Sequence, residues 1–361
     1  MTSIGSDRAP QPPRMGRALV IRFGAMGDMV QMSAALANIS ERHARVDVLG
    51  NGGASAAVLA GTPGLGRVLP LSHRWLPMWL HLHKQRVCRL IERRKYEAVY
   101  AFDDVPGLLD QIERSGTMVH RCFACAAPRL HGLASDAWVL AQFGIPSPQT
   151  LPTVNSRPAD AQVMQARLRE LGCAGPVVVF QPGNSRTLHP LHRFRPKRNL
   201  KAWPVASWAA VAEHLLTSDP MLSIAIAGAP SETATAQAIH QLVPVHLRSR
   251  VVVLTQELPV ARLAGLLSLA IGCISVDTGP AHLAAALGCP LVVLFGPADP
   301  DIMAPAGPGP VAVLRSHVAC SPCYGTKRRH ACQRNICMEQ ISVTQVMAAW
   351  ASTTKRTRLT G

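Results

Sequence analysis

Short apolar runs and amphipathic stretches alternate along this chain from one end to the other. Residues 17–23 (RALVIRF), 46–49, 96–102 (YEAVYAF), 175–180 (GPVVVF), 221–228 (MLSIAIAG), 250–255 (RVVVLT), 271–276 and 291–295 are apolar runs closed by glycine, proline or polar residues. Such runs predict strands buried on both faces. Between them, apolar residues recur every three or four positions, which predicts helices over 24–43, 54–59, 73–94, 161–171, from 205 onward, 282–287 and 341–353. Residues 118–124 resemble one further short strand. Regular strand–helix alternation predicts an α/β fold built on parallel sheets. Residues 144–160 interrupt it with four prolines and no periodicity, so an interdomain boundary is expected there, with one domain over 17–160 and a second from 161.

One stretch, 267–297, contains a complete strand–turn–helix–strand unit. Its first strand ends at Asp277, Gly279 and Pro280 supply the turn and helix start, and Gly288 stops the helix. Ligand crevices of open α/β sheets lie where strands end and helices begin, so Asp277, Thr278, Gly279 and His282 are expected at one. The free N–H groups and partial positive charge of a helix N-terminus suit an anion there. The plainer reading is that Asp277 and Thr278 only cap the helix. A second such turn carries Gly24, Gly27 and Asp28; its Gly-x-x-Gly spacing is not the dinucleotide fingerprint, and Asp28 is either a functional carboxylate or a helix-terminal one. A third follows 175–180, where a Pro-Gly turn opens a loop over 186–201 rich in Arg, Lys and His and ending at Lys201. Such a loop is a cationic clamp for a diphosphate or a solvated segment.

The chain has 361 residues, enough for two domains of ordinary size. Hydrophobic residues make up 48%, yet no apolar run is long enough to cross a membrane. Residues 1–16 lack the apolar core of a signal peptide and read as a disordered leader, so a cytoplasmic location is expected. The formal net charge of +16 calls for an anionic partner. With only 4% aromatic residues and no stacking platform, nucleic acid is not the expected one. The basic stretch 73–94, with Trp75 and Trp79, is either a membrane-surface helix or a solvated face. Ten cysteines in a cytoplasmic chain are expected to be mostly reduced. Cys320, Cys323, Cys332 and Cys337 fall close together, so a structural zinc or iron ion is one reading of that cluster and reduced thiols the other.

Four segments in order, 22–36 (RFGAMGDMVQMSAAL), 181–186 with 201–204 (QPGNSR and KAWP), 228–232 (GAPSE) and 277–297 (DTGPAHLAAALGCPLVVLFGP), together resemble glycosyltransferase family 9, the bacterial heptosyltransferases of the lipopolysaccharide inner core. The resemblance implies a GT-B fold: two Rossmann-like doubly wound domains facing across a cleft, acceptor in the first and nucleotide sugar in the second (161–340). It also implies that the closing segment 341–361 returns to the first domain. Asp28 would be the general base and Lys201 would stabilise the departing diphosphate. Ser185, Arg186, Glu232, Asp277, Thr278, Gly279 and His282 would hold the nucleotide sugar, with Glu232 on the ribose and Arg22 and Gly27 on the acceptor side. The implied donor is ADP-heptose and the implied acceptor an anionic glycolipid, met by a peripheral enzyme at the inner face of the cytoplasmic membrane. No cofactor is required for catalysis. The loop between QPGNSR and KAWP is longer and more basic than is usual, so Arg186, Lys197 or Arg198 are alternatives to Lys201. A protein or another glycan as acceptor, or a binding protein without turnover, are the other readings.

Overall fold

A computed structural model describes residues 15–72, 76–77, 80–125, 130–145, 151–184, 199–256 and 258–360, leaving aside the side chains of residue 15 and of residues 356–360. The leader expected over 1–16 lies, up to residue 14, outside the described residues.

The first half runs β1 (Met15–Ile21), α1 (Met26–Arg42), β2 (His43–Gly50), α2 (Gly53–Leu59), β3 (Leu65–Pro70), α3 (Leu82–Arg94), β4 (Ala98–Ala101), α4 (Leu108–Arg114), β5 (Met118–His120) and α5 (Gly132–Gln142). The second runs α6 (Pro158–Glu170), β6 (Val177–Gln181), α7 (Val205–Ser218), β7 (Ser223–Ala227), α8 (Thr233–Leu242), β8 (Val251–Leu254), α9 (Val260–Leu269), β9 (Gly272–Val276), α10 (Gly279–Ala286), β10 (Leu291–Phe295), α11 (Pro300–Met303), β11 (Val311–Arg315), α12 (Ile336–Glu339) and α13 (Val343–Thr360). The strands form two parallel sheets, ordered β3-β2-β1-β4-β5 and β11-β10-β9-β6-β7-β8.

The apolar runs became central strands because helices cover both their faces. Every residue of β4, β6, β7, β9 and β10 is buried. The edge strands β3 and β11 are only partly buried and carry Arg67 and Arg315, charges that discourage pairing with another chain. In each sheet the order of connection reverses once, between β1 and β4 in the first and between β6 and β9 in the second. Crevices form beyond the carboxyl ends of strands at such reversals, so each half contributes one.

One apolar cluster joins the halves. Met29, Met32 and Leu36 of α1 share it with Leu266 of α9 and Leu283 of α10, while two others back the outer faces of the two sheets. The proline-rich segment is part of this joint. Thr153 N–H donates to Ser33 Oγ (3.2 Å), Val154 N–H donates to Ala286 O (3.0 Å), and Val154 is buried in the shared cluster. Over its described part, the expected linker is therefore a seated strap, and α6 begins at Pro158, three residues before the expected start.

The closing helix corrects one expectation. Over its described side chains α13 packs on β10, β11 and α7, all of the second half, rather than returning to the first. Val346 and Trp350 are buried in the second core, and the Trp350 ring fills the place of a side chain at Gly272, where a Cβ would lie 2.6 Å from it. Apolar periodicity predicts such a helix but does not say which groove receives it. Trp350→Ala is expected to destabilise the protein by about 3 kcal/mol, because the void beside Gly272 cannot refill; chemical denaturation measures the loss.

Candidate active site

The two crevices face each other and merge into one cleft of about 930 Å³. Its first wall is the turn after β1. Phe23 N–H donates to the Asp103 carboxylate (2.7 Å), and the Asn51 amide donates to the carbonyls of Phe23 (2.7 Å) and Gly24 (3.1 Å). So held, the turn delivers Asp28 to the first turn of α1. One carboxylate oxygen accepts Ala25 N–H at 2.7 Å, and the other lies 3.7 Å from Arg22 Nη2, with 44% of the side chain exposed. Asp28 thus serves as a helix-terminal carboxylate and still presents an oxygen to the cleft; the two readings of it are compatible.

The opposite wall is the turn after β9. Asp277 is buried, its carboxylate pairs with Lys201 Nζ at 2.5 Å, and its carbonyl accepts from the same ammonium at 3.2 Å. Thr278 occupies the N-cap position without a side-chain capping bond. Neither residue caps α10 by its side chain, so the plainer reading fails there. Lys201 Nζ also lies 5.2 Å from the centre of the Tyr324 ring, whose other contact is the Arg329 guanidinium at 4.9 Å.

Ser185 and Arg186, with Lys197 and Arg198, lie outside the described residues. The loop's stems are tied together: Asn184 Nδ2 donates to Asn199 Oδ1 at 2.8 Å, and Lys201 N–H donates to the same oxygen at 3.2 Å. That clasp fixes Lys201 whatever the loop's length. Glu232 is buried at the far end, its carboxylate accepting Ala229 N–H (2.8 Å) and lying where a Cβ on Gly183 would come within 2.0 Å.

The walls touch at two glycines. A Cβ at Gly27 would sit 2.9 Å from the His282 ring, and one at Gly279 would sit 2.7 Å from Met26 Cβ. The N-termini of α1 and α10 therefore converge on the same space. His282 is buried there, and burial lowers its pKa to about 4; Asp277 and Asp28 oppose that shift only in part. At neutral pH it offers one N–H and no charge.

Arg22, Gly27, Asp28, Lys201, Glu232, Asp277, Thr278, Gly279 and His282 all line this cleft. The four cysteines do not. Cys323 and Cys337 titrate under the influence of the other thiols of the cluster, so the group is compact, but among the described residues no three His, Cys, Asp or Glu side chains converge as a metal would need. Cys332 and Cys337 instead donate to Arg334 O (3.3 Å) and Asn335 Oδ1 (3.4 Å). As it stands this set does not fit a zinc or iron ion, and its link to the cleft is Tyr324. Gln31, Asp136 and Tyr324 also line the cleft, and no motif in the sequence singles them out. Only their positions in the fold bring them there, although a polar residue in the apolar helix of 132–142 was a signal for Asp136.

Two parallel Rossmann-like halves with a cleft between their reversal points make a GT-B fold, and a helix N-terminus facing a carboxylate suits group transfer from a charged donor. A model of glycosyltransferase family 9 (heptosyltransferase) matches residues 111–333, so the chain belongs to that family and is a glycosyltransferase. It is 24% identical over 333 residues to lipopolysaccharide heptosyltransferase 1 of Pseudomonas aeruginosa, covering 85% of this chain and 86% of that protein. Its fold is similar to a family 9 glycosyltransferase from Veillonella parvula (TM-score 0.77, 17% identity, 96% of this chain and 99% of that one). It is similar also to the E. coli ADP-heptose lipopolysaccharide heptosyltransferase II (TM-score 0.71, 16% identity, 95% and 99%).

The burial of neutral His282 makes stability depend on acid. Its unfolded pKa is 6.5 and its folded one about 4, so its contribution is complete above pH 6.5 and is lost as pH falls toward 4. Asp136, raised from 3.8 to about 6, acts in the opposite direction between those values. The difference between wild type and His282→Gln isolates the histidine: thermal melts at pH 7.5 and 5.0 are expected to show a pH-dependent loss about 2 kcal/mol smaller in the variant.

Proposed function

We propose that this glycosyltransferase moves heptose from ADP-heptose to the phosphorylated inner core of lipopolysaccharide with inversion at the anomeric carbon. The observation that supports it most is the meeting of α1 and α10: a partly exposed carboxylate, Asp28, faces the helix N-terminus and cation that suit a diphosphate. The names of the Pseudomonas and E. coli relatives support the choice of donor and acceptor.

In this reading the diphosphate lies against the Thr278–Gly279 backbone and the N-terminus of α10, and the ribose reaches Glu232. Lys201 turns part of its hydrogen bonding from Asp277 to the departing phosphate. The acceptor hydroxyl enters from the α1 side and attacks the anomeric carbon on the face opposite the nucleotide. Its proton passes to the free oxygen of Asp28 as the new C–O bond forms, and the electrons of the breaking bond leave with ADP. A carboxylate suffices because the hydroxyl becomes acidic only as it bonds to carbon. Neutral His282, beside Gly27, donates its N–H into the same region without adding charge. Ser185 and Arg186 would add contacts to the donor from the basic loop.

The division of labour follows the domains expected from the sequence, acceptor on the half before residue 160 and donor on the half after it. Among the described residues no helix is long and apolar enough to cross a membrane. Leu82, 69% exposed on α3 among Arg86, Arg89 and Arg93, suits peripheral contact with an anionic membrane surface carrying the acceptor, on its cytoplasmic face.

Calorimetric titration with ADP, UDP, GDP and ADP-heptose tests the donor: ADP and ADP-heptose are expected to bind tightest, and tighter UDP or GDP binding overturns the assignment. Asp28→Asn is expected to lower kcat by 10²- to 10⁴-fold with ADP affinity within twofold of wild type. Glu232→Ala and Asp277→Ala are expected to weaken ADP about tenfold or more, the second by freeing Lys201 from its position.

A further inference from the structure

The cleft contains a carboxyl group that the reaction above does not use. Gly132, Ser135, Asp136 and Val139 of α5 all line it, and their spacing of three, four and seven makes them one face of that helix. Two contacts hold the helix there. His131, at its N-terminus, accepts Leu133 N–H on Nδ1 (3.3 Å), which leaves Nε2–H to donate to Ala304 O of the second half at 2.8 Å. Gly132 lets α5 sit directly on α1, where a Cβ would lie 2.5 Å from Gln31 Oε1. Asp136 therefore stands on an element fastened to both halves and fixed against the Asp28 corner.

The charged and titratable groups around it are Arg22 from the end of β1, Asp28 from α1 and Cys122 from the turn after β5. Among the described residues no donor hydrogen-bonds the Asp136 carboxylate. Arg22 Nε, sealed from solvent, likewise has no acceptor among them. Asp136 is only partly buried, so its carboxylate is open to the cleft. Asp136 and Arg22 both line the cleft, and the Asp136 carboxylate, not taken up by any described hydrogen bond, can receive a hydroxyl of a polyhydroxylated ligand.

We propose that Asp136 is a second acceptor-side carboxylate: it accepts a hydrogen bond from a sugar hydroxyl neighbouring the attacking one and, with Arg22, orients the acceptor over Asp28. This rests on the reading of Asp28 as the base and of the α1 wall as the acceptor side. Asp136 takes no proton from the reaction; its part is to hold the sugar. Burial raises its pKa to about 6, with Asp28 adding to the shift and Arg22 opposing it. The carboxylate form prevails at neutral pH and is lost as pH falls through 6, and the acceptor contact weakens with it.

The test assays wild type, Asp136→Asn, Asp136→Ala and Asp28→Asn with ADP-heptose and heptose-deficient lipopolysaccharide, following ADP release from pH 5 to 8. Both Asp136 variants are expected to raise the acceptor KM about tenfold, with calorimetric ADP affinity within twofold of wild type. The fall of kcat/KM below about pH 6 is expected in wild type and absent from Asp136→Asn. The isosteric Asn variant covers the case in which Ala perturbs the fold. An acceptor KM and pH profile unchanged in both variants overturn the proposal, as does a parallel loss of ADP affinity. Asp28→Asn separates the two ideas: if it turns over like wild type, the base reading falls, whereas an inactive Asp28→Asn beside wild-type-like Asp136 variants sinks only Asp136.

Discussion

Two helix N-termini meet at contact distance, and the rest of the molecule depends on that approach. Gly27 faces the His282 ring and Gly279 faces Met26 with no room for a methyl group on either side. A side chain at either position would wedge the halves apart and separate Asp28 from the Thr278 turn. The shared apolar cluster, with Met29 and Leu283 on the two converging helices, supplies the cohesion that keeps them together. Their partial positive ends point into one space, an arrangement that favours an anion between them. The same glycines thus set the packing of the halves and the electrostatics of the cleft.

Net charge alone describes this cleft poorly. The chain carries +16, yet Lys201 is paired with Asp277, Arg22 lies beside Asp28, and burial keeps His282 neutral. The cations of the cleft are already held by carboxylates, so in the proposed function a diphosphate would exchange partners with Asp277 at Lys201 instead of meeting a free charge. The Lys201–Asp277 pair is nearly shielded from water, and such a pair is costly to break by removing one member. Its value to the fold is position: the ammonium stays at the end of α10 whether or not the basic loop beyond Asn184 and Asn199 is engaged.

Much of this was legible because the chemistry is local. The turns at Asp28, Glu232 and Asp277 each combine a strand end, a glycine or proline and a candidate polar side chain within a few residues, and Lys201 stands just before the Pro204 start of α7. Helix starts and strand ends are written in such neighbours. Asp136 carried no comparable signal: it sits mid-helix, and only the seating of α5 on Gln31 and Ala304 turns its face to the cleft. Tyr324 became relevant because the segment after β11 folds back over Lys201. The proline-rich segment reads as an interdomain linker because prolines exclude regular structure, whereas the seating of Thr153 and Val154 depends on partners far away in the chain, Ser33 and Ala286.

The sequence by itself determined the α/β class, the strands buried on both faces, the turns that place the principal polar groups, and the family resemblance carried by four ordered motifs. Those properties follow from periodicity and from backbone preferences that act over a few residues. Only the tertiary structure decided which groove the closing helix fills, how the two reversal points face each other, and that burial keeps His282 neutral while pushing the Asp136 carboxyl up. Such outcomes depend on side chains brought together from distant parts of the chain, where close packing and removal from water, rather than local propensity, fix contact and charge.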